Sequence, residues 1–479
     1  MTSLLSEISD PDSLHALDVS RANLIGVAMR SGDPSYSEQV QANVARQASS
    51  EAVFVAELVI DRHRLVGIEC EYSFLAGTFG LEVGEFIAGA FEYAMQHDLP
   101  VLAIAQSGGA RQQEGTLAFI QMLKMTEAMR LHRAQGLLCV TYLRNPTTGG
   151  VNASWASQGQ VVWAEPHATI GFTGPRVARA LGEPIEPTSI QTSEGLFHHG
   201  FVDDIIEPNE LRPRLASLLS TVRATPSDDQ ATTPNEIPDG PRGWDAIVAS
   251  RMRPPVRLEV EVGVEIRGDR RGSVDAGVRC RLTRVGANAV MLIEHSVSPT
   301  AHRVEVSGLH SAIRAMQIAN DLGVAVVTVI DTAGMVLNGE QERQGPAFAI
   351  AESMRTMLGL NVPTVAVLAG QGSGGAAIAW VGADVVVAVS DAWMTPISPE
   401  ASSLIVHKSA DRADEMATTM RGSATELREL GLVDVVVAPS DLPQAVRWAI
   451  ERASQLRQEP NRRSRWLTTG WAELANESV

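Results

Sequence analysis

Pro146-Thr-Thr-Gly-Gly150 and Gly370-Gln-Gly-Ser-Gly-Gly-Ala376 are the stretches on which the fold turns. Each follows a short apolar run, Gly136-Leu-Leu-Cys-Val-Thr-Tyr142 in one case and Pro363-Thr-Val-Ala-Val-Leu368 in the other, and each leads into a segment rich in Ala or Ser. The two Gly-Gly steps stand at an offset of 225 (149 to 374). Working outward, Gly171-Phe172 and Pro396-Ile397 keep that offset, and Ser107-Gly-Gly-Ala110 and Asp331-Thr-Ala-Gly334 stand at 224 (107 to 331). Gly200-Phe-Val-Asp-Asp-Ile-Ile206 answers Gly431-Leu-Val-Asp-Val-Val-Val437 at 231 (200 to 431). Such agreement implies an internal duplication, two copies of one α/β fold.

The strand signals support this. Ala52–Ile60 and Leu65–Cys70 are rich in β-branched residues and read as paired strands. Pro100–Gln106 and Gly136–Tyr142 are continuous apolar runs separated by helix-patterned segments, the pattern of buried strands wrapped by helices. The second half restarts the series with Val278–Leu282, Ala289–Glu294, Val324–Ile330 and Pro363–Leu368. Residues 1–50 are polar and helix-like. Residues 224–243 are crowded with Pro, Asp, Thr and Gly and read as a linker. The expected domains are therefore 1–223 and 244–479, and 479 residues suit two cores better than one.

Composition narrows the function classes. The formal net charge of −17 disfavours nucleic acid and anionic lipid as partners. The three cysteines, Cys70, Cys139 and Cys280, form no CxxC, which excludes a zinc ribbon, and no metal is expected. The N-terminus has no basic segment ahead of an apolar run, so no signal peptide is expected. The apolar runs fall short of the about 20 residues a bilayer requires. No membrane contact and a cytoplasmic location are expected.

Familiar catalytic machinery is missing. There is no Gly-x-Ser-x-Gly elbow, HExxH or Walker loop, and His198-His199 reads as a turn. What recurs is Gly-Gly between a strand and a helix. Without a Cβ the backbone can approach a ligand closely, and successive N–H groups at a helix start point at one spot. That builds an oxyanion hole, in which one lost donor costs about 10²–10³ in rate. A single Gly-Gly at such a junction more often serves tight packing than catalysis. Two at equivalent places suit a reaction with two carbonyls to polarise.

On these residues the chain resembles the carboxyltransferase components of biotin-dependent acyl-CoA carboxylases. Ser107-Gly-Gly-Ala-Arg-Gln-Gln-Glu-Gly115 is similar to their SGGAR-x-QEG signature, and Pro146–Gly150, Ala164-Glu-Pro166 and Ile170–Val177 resemble the bacterial acetyl-CoA carboxylase β subunit. Gly268-Asp-Arg270, Ile330–Gly334, Gly370–Ala376 and Ile397-Ser-Pro-Glu400 resemble the α subunit. The resemblance implies β and α subunits fused, β first, as two duplicated β-β-α spiral domains of the ClpP/crotonase type. It implies transfer of a carboxyl group from carboxybiotin, on a separate carrier protein, to the α-carbon of an acyl thioester through CO2 and the thioester enolate. Gly149 and Gly150 would face the thioester carbonyl, and Gly374, Gly375 and Ala376 the biotin ureido carbonyl. Gly77, Ser107, Gly108, Gly109, Ala110, Arg111, Gly174, Pro175 and Arg176 would bind substrate. Asp331, Thr332, Ala333, Gly334, Ser398, Pro399 and Glu400 would lie on the biotin side.

The implied partners are an acyl-CoA or acyl-carrier protein, the biotin carboxyl carrier protein and biotin carboxylase. A homodimer or larger homo-oligomer is implied too, with the N-domain of one chain facing the C-domain of another. The sequence also departs from the family. The β-subunit zinc ribbon is missing, and Met335-Val-Leu-Asn338 replaces the usual run after Asp331–Gly334. Glu85-Phe-Ile-Ala-Gly-Ala90 stands where basic residues commonly help hold CoA, which opens the possibility of a carrier-protein substrate. Leu123-Lys-Met125 resembles a biotin attachment site but sits in a helix-patterned stretch and reads as helix surface. Two other readings stay open: a biotin-independent malonyl-thioester decarboxylase, and a silent scaffold subunit of a carboxylase complex.

Overall fold

Buried strands that are apolar on both faces need cover on both sides, and the chain supplies it twice. The computed structural model describes residues 3–19, 32–46, 51–183, 185, 188–223, 231–295, 303–459 and 465–468. It forms two compact units, Met1–Ser220 and Thr221–Val479.

In the first unit the strands are β1 (His15–Ala16), β2 (Val53–Ile60), β3 (His63–Cys70), β4 (Val101–Ser107), β5 (Cys139–Thr148), β6 (Val161–Ala164), β7 (Ile170–Gly171) and β8 (Asp204–Ile205). They form a sheet in the order β1-β2-β3-β4-β5-β6-β8, with β7 on the end of β5. The pair β2–β3 is an antiparallel hairpin, Val53 opposite Cys70 and Ile60 opposite His63. Its turn residues Asp61 and Arg62 both take left-handed φ, +46° and +69°, which matches the right-handed strand twist. From β3 onward all pairings are parallel. Val101–Ala105 of β4 and Cys139–Leu143 of β5 are wholly buried, as the continuous apolar runs require. The helix Leu81–Gln96 packs Val83, Ile87, Phe91 and Ala94 against this sheet.

The second unit repeats the plan with β9 (Val264–Glu265), β10 (Val278–Val285), β11 (Asn288–His295), β12 (Ala325–Thr332), β13 (Thr364–Ser373), β14 (Val385–Val389), β15 (Trp393–Thr395) and β16 (Val435–Val437). The order is β16-β14-β13-β12-β11-β10-β9, with β15 on β13. The repeat extends to single hydrogen bonds. Asp203 accepts the Val162 N–H at 2.8 Å, and Asp434 accepts the Val386 N–H at 2.6 Å. Each aspartate returns its own N–H to the same strand residue, Val162 O at 2.7 Å and Val386 O at 2.8 Å. The duplication and the crotonase-type α/β fold are thus present. Of the segment read as a linker, residues 224–230 lie outside the described residues. Ile237 and Gly240 beyond them hydrogen-bond to Val436 O and Thr425 Oγ1 of the second unit.

The alignment itself needs two corrections of one residue. Ser107 pairs with Thr147, and Thr332 with Gly372, each just past a bulge that follows Ala105 or Ile330. Ser107 is therefore equivalent to Thr332 rather than Asp331, and Asp331 answers Gln106. Likewise Gly171 pairs with Thr148 while Thr395 pairs with Ser373, so Gly171 answers Thr395 rather than Pro396. Matching "SGG" to "DTAG" by composition aligned the wrong glycines: the one forced into a left-handed turn is the second, Gly109.

The paired aspartates give a test of the duplicated design. Asp203→Ala leaves the buried Val162 N–H without its acceptor and is expected to destabilise the first unit by about 1–3 kcal/mol, read as an earlier denaturant midpoint.

Candidate active site

Both sheets end their central strands in the same construction. After β4 the hydroxyl of Ser107 accepts the Gly109 N–H at 3.0 Å; after β12 that of Thr332 accepts the Gly334 N–H at 3.1 Å. Gly109 and Gly334 take φ +111° and +106°, a region essentially closed to L-residues. The next residue is then pinned to a neighbouring segment. Phe79 N–H donates to Gly109 O at 3.0 Å and Arg111 N–H to Phe79 O at 2.9 Å. In the second unit Val304 N–H donates to Gly334 O at 2.9 Å and Val336 N–H to Val304 O at 2.8 Å. This leaves the N–H of Ala110, and of Met335, with no described backbone acceptor.

The Gly-Gly steps arrive beside these turns. Gly149 follows β5 at φ +69° and Gly374 follows β13 at φ +64°. A Cβ on Gly109 would lie 3.6 Å from Gly149 Cα and 3.8 Å from Gly150 N. The missing side chain of Gly109 therefore leaves space open beside the Gly150 nitrogen. Gly174 completes the wall, since its Cβ would lie 3.5 Å from Thr148 Oγ1. In the second unit a Cβ on Gly334 would lie 3.4 Å from Ser373 O, and one on Gly374 3.3 Å from Pro396 O. The N–H groups of Gly150, Gly375 and Ala376 have no acceptor among the described residues, as expected for the start of a helical turn.

Three sequence expectations change here. Gly149 N–H already donates to Phe172 O at 2.9 Å, so Gly149 shapes the turn and Gly150 holds the available donor. The missing Cβ of Gly150 points inward, 2.9 Å from the Phe79 ring and 3.0 Å from Met122 Sδ, and that of Gly375 points at Ile350 Cδ1. Side chains there would strike the packing and not the ligand space. Arg111, expected to bind substrate, is 2% exposed and its guanidinium faces Glu51 and Glu114. Burial works against that charge, and Glu51, together with Tyr36 and Glu114, more than offsets it.

The remaining residues sit around the two turns. Gly77 ends a left-handed run, Leu75 +47°, Ala76 +54° and Gly77 +62°, and Ala76 O accepts the Gly108 N–H at 2.9 Å. Gly174 and Ser398 are the N-caps of the helices Pro175–Ala180 and Pro399–His407, each with proline at the first helical position. Arg176 lies in the first of these, and Ser398 Oγ accepts the Ala401 N–H at 3.3 Å. Glu400 pairs with Arg251 at 2.5 Å, which holds its carboxyl below the usual range. Asp331 Oδ1 accepts the Gln371 N–H at 2.9 Å, and Ala333 lies between Thr332 and the Gly334 turn. Glu85 pairs with Lys124, which is on the surface of the helix Gly115–Ala134.

Two groups carried no sequence signal. His295 Nδ1 accepts the Asp331 N–H at 3.3 Å while its ring stacks on Trp380 at 4.1 Å, and burial depresses its pKa to about 3. Tyr36, Glu51 and Glu82 gather around Arg111 and Glu114. Burial, with Glu51 nearby, raises the Glu82 carboxyl to about 8. Among the described residues no group of His, Cys, Asp or Glu is arranged to hold a metal ion, and no helix is long and apolar enough to cross a membrane.

Each unit thus presents backbone N–H groups with no described acceptor beside a left-handed glycine, an arrangement suited to an enzyme that polarises a carbonyl group. The comparisons make the assignment specific. Residues 60–203 match the carboxyl transferase domain family, and residues 256–459 match the acetyl co-enzyme A carboxylase carboxyltransferase-like family. The chain is 38% identical over 432 residues to a probable biotin-dependent acyl-coenzyme A carboxylase beta3 subunit of Mycobacterium tuberculosis, covering 88% of this chain and 86% of the relative. It is 33% identical over 474 residues to the acetyl-coenzyme A carboxylase carboxyl transferase subunits beta/alpha of Parafrankia sp., covering 89% and 77%. Its fold is like that of the transcarboxylase 12S hexamer solved with methylmalonyl-coenzyme A (TM-score 0.74, 17% identity, 96% of this chain and 91% of that one). The chain belongs to the carboxyltransferase family of the biotin-dependent acyl-CoA carboxylases, and its function is carboxyl transfer.

Two outcomes follow from the site geometry. Gly150→Val is expected to lower the Tm, because its branches meet Phe79 and Met122; turnover per folded molecule measured beside Tm separates this from loss of a donor. Glu82→Gln is expected to stabilise the protein at pH 8. Native Glu82 retains a proton that the unfolded chain loses above about 4.5, so wild-type stability falls as pH rises from 4.5 to 8. The advantage of Gln should shrink to nothing as pH falls through that window in thermal melts.

Proposed function

We propose that the chain moves a carboxyl group from carboxybiotin to the α-carbon of an acyl-CoA, giving a malonyl-type thioester, with the first unit serving the thioester and the second the biotin. The observation that carries this reading is the pair of equivalent glycine turns. Each offers backbone N–H groups free to donate beside a space that only glycine leaves open. The second-unit notch suits a ureido group: Gly375 and Ala376 supply donors for a neutral carbonyl oxygen, and Gly334 and Gly374 leave room for a flat ring. When bound there, carboxybiotin supplies the carboxyl group.

The residues then act mainly by electrostatics. The Gly150 and Ala110 amides donate to the thioester oxygen, and their bonds strengthen as negative charge grows on it in the enolate. Preorganised donors of this kind act without reorganising during the reaction. Among the described residues no side chain at the turns is placed as an acid or base: Arg111 and Glu114 are turned into the first unit, and Asp331 holds the Gln371 amide. Proton removal from the α-carbon therefore falls to the reactants, in line with a biotin-assisted reaction. The carboxybiotin arrives on a separate biotin carboxyl carrier protein charged by biotin carboxylase, and the chain works as a homodimer or larger homo-oligomer. Lys124 at that point of the first unit is paired with Glu85, which keeps an acyl-carrier protein as the alternative bearer of the acyl group.

The test is the reverse reaction. Malonyl-CoA or methylmalonyl-CoA should lose its carboxyl group only when free biotin is present, and CoA thioesters can be compared directly with the same acyl groups on a carrier protein. Equal turnover without biotin would make the chain a biotin-independent decarboxylase. No turnover with any thioester would make it a scaffold. Gly109→Ala, which fills the space beside the Gly150 nitrogen, should lower kcat by about 10²–10³.

A further inference from the structure

The two units carry the same loop and hold it by different chemistry. In the second unit Gln341 Oε1 accepts the Val306 N–H at 2.8 Å, tying the loop after β12 to the first turn of the helix Val306–Leu322. In the first unit Glu114 Oε2 accepts the Leu81 N–H at 2.6 Å, tying the loop after β4 to the first turn of the helix Leu81–Gln96. Leu81 and Val306 keep the offset of 225. An amide is enough for this tie, yet the first unit uses a carboxylate.

The surroundings explain the charge. Arg111 reaches Glu51 through both terminal nitrogens, Nη1 at 3.0 Å, and Glu114 through Nη1 at 3.4 Å. The Tyr36 hydroxyl donates to the same Glu114 oxygen. All four side chains are buried, none more than 9% exposed. Among the described residues the second unit has no such cluster. Val336 stands in the place of Arg111 and Ala276 in the place of Glu51, while the neighbouring Asp275 accepts the backbone N–H groups of Glu305 at 2.9 Å and Gly277 at 2.6 Å. Arg111 and Glu114 place the extra charge on the loop that carries Gly109 and Ala110, and Glu51 meets it from the segment before β2.

We propose that Arg111 and Glu114, held by Glu51 and Tyr36, are positioning residues that fix the direction of the Ala110 amide toward the thioester oxygen; this rests on the assignment of the first unit to the thioester. Arg111 is the residue directly after Ala110, and its backbone N–H already anchors that point to Phe79 O. The guanidinium adds a second anchor from the side chain, so the peptide between Gly109 and Arg111 is held at both ends. Charge-assisted bonds are roughly twice as strong as neutral ones. Without Glu114 the charge of the buried Arg111–Glu51 pair stays matched, but the guanidinium loses the contact that ties it to its own loop. A donor displaced by about 1 Å can cost about 10²-fold in rate.

Glu114→Gln is the decisive variant, because Gln341 shows that an amide can keep the helix tie while the charge is lost. The readout that does not depend on activity is amide hydrogen exchange in the full chain. Exchange over residues 107–115 should rise about tenfold or more, while residues 332–341 stay unchanged. With malonyl-CoA and free biotin, kcat should fall about 10–100-fold, with KM for biotin unaltered, and Arg111→Lys should behave alike. Tyr36→Phe, which removes a single hydroxyl, should shift exchange and kcat less and in the same direction, and serves if the other variants do not fold. Unchanged exchange over 107–115 in Glu114→Gln or Tyr36→Phe would overturn the proposal. So would unchanged turnover per folded molecule in an active enzyme. Wild-type protein inactive on every thioester would instead count against the functional assignment, and the exchange comparison would still decide the positioning role.

Discussion

A left-handed glycine placed directly after a buried parallel strand is the constraint on which this molecule depends. Gly109 at φ +111° and Gly334 at φ +106° can be occupied by no ordinary L-residue without strain. The strand before each is buried along its apolar run, so the chain has no freedom to relax backwards. The hydroxyl of Ser107 or Thr332 then fixes the turn from within. Everything that makes the site possible follows from that turn: the bulge in the ladder, the backbone bridge to Phe79 or Val304, and the absence of any side chain where a ligand oxygen must come.

The repeat of that construction explains why the fold was legible in the sequence. Glycines forced by backbone conformation cannot drift, and so Gly109 and Gly334, or Gly149 and Gly374, hold their spacing while the residues between them change. The strands were readable for a similar reason, since β4, β5, β12 and β13 must be apolar on both faces. The one-residue error in matching Ser107 to Asp331 came from weighing residue identity over conformation. A bulge leaves no compositional mark, and Thr332 does the work of Ser107 through a hydroxyl that a letter-by-letter match does not reward.

The side-chain roles were far less legible. Gly-Gly looks the same whether the missing Cβ faces a ligand or, as at Gly150 with Phe79 and Met122, a neighbouring ring and sulfur. Arg111 sits inside the motif most suggestive of binding, yet its partner Glu51 lies 60 residues earlier and Tyr36 further still. His295 beneath Asp331 has no pattern around it at all. Long-range pairs of this kind depend on how strands and helices stack, and one sequence does not disclose that stacking.

Both sheets also end in very short strands. The outermost are β1 with two residues and β8 with two in the first unit, β9 with two and β16 with three in the second. A long bare edge is a ready template for another chain to add a strand, and proteins commonly blunt it by shortening. Here each outermost strand offers only two or three residues of ladder to an incoming strand. Short outer strands thus disfavour strand-by-strand aggregation even though the sheets are among the most apolar parts of the molecule.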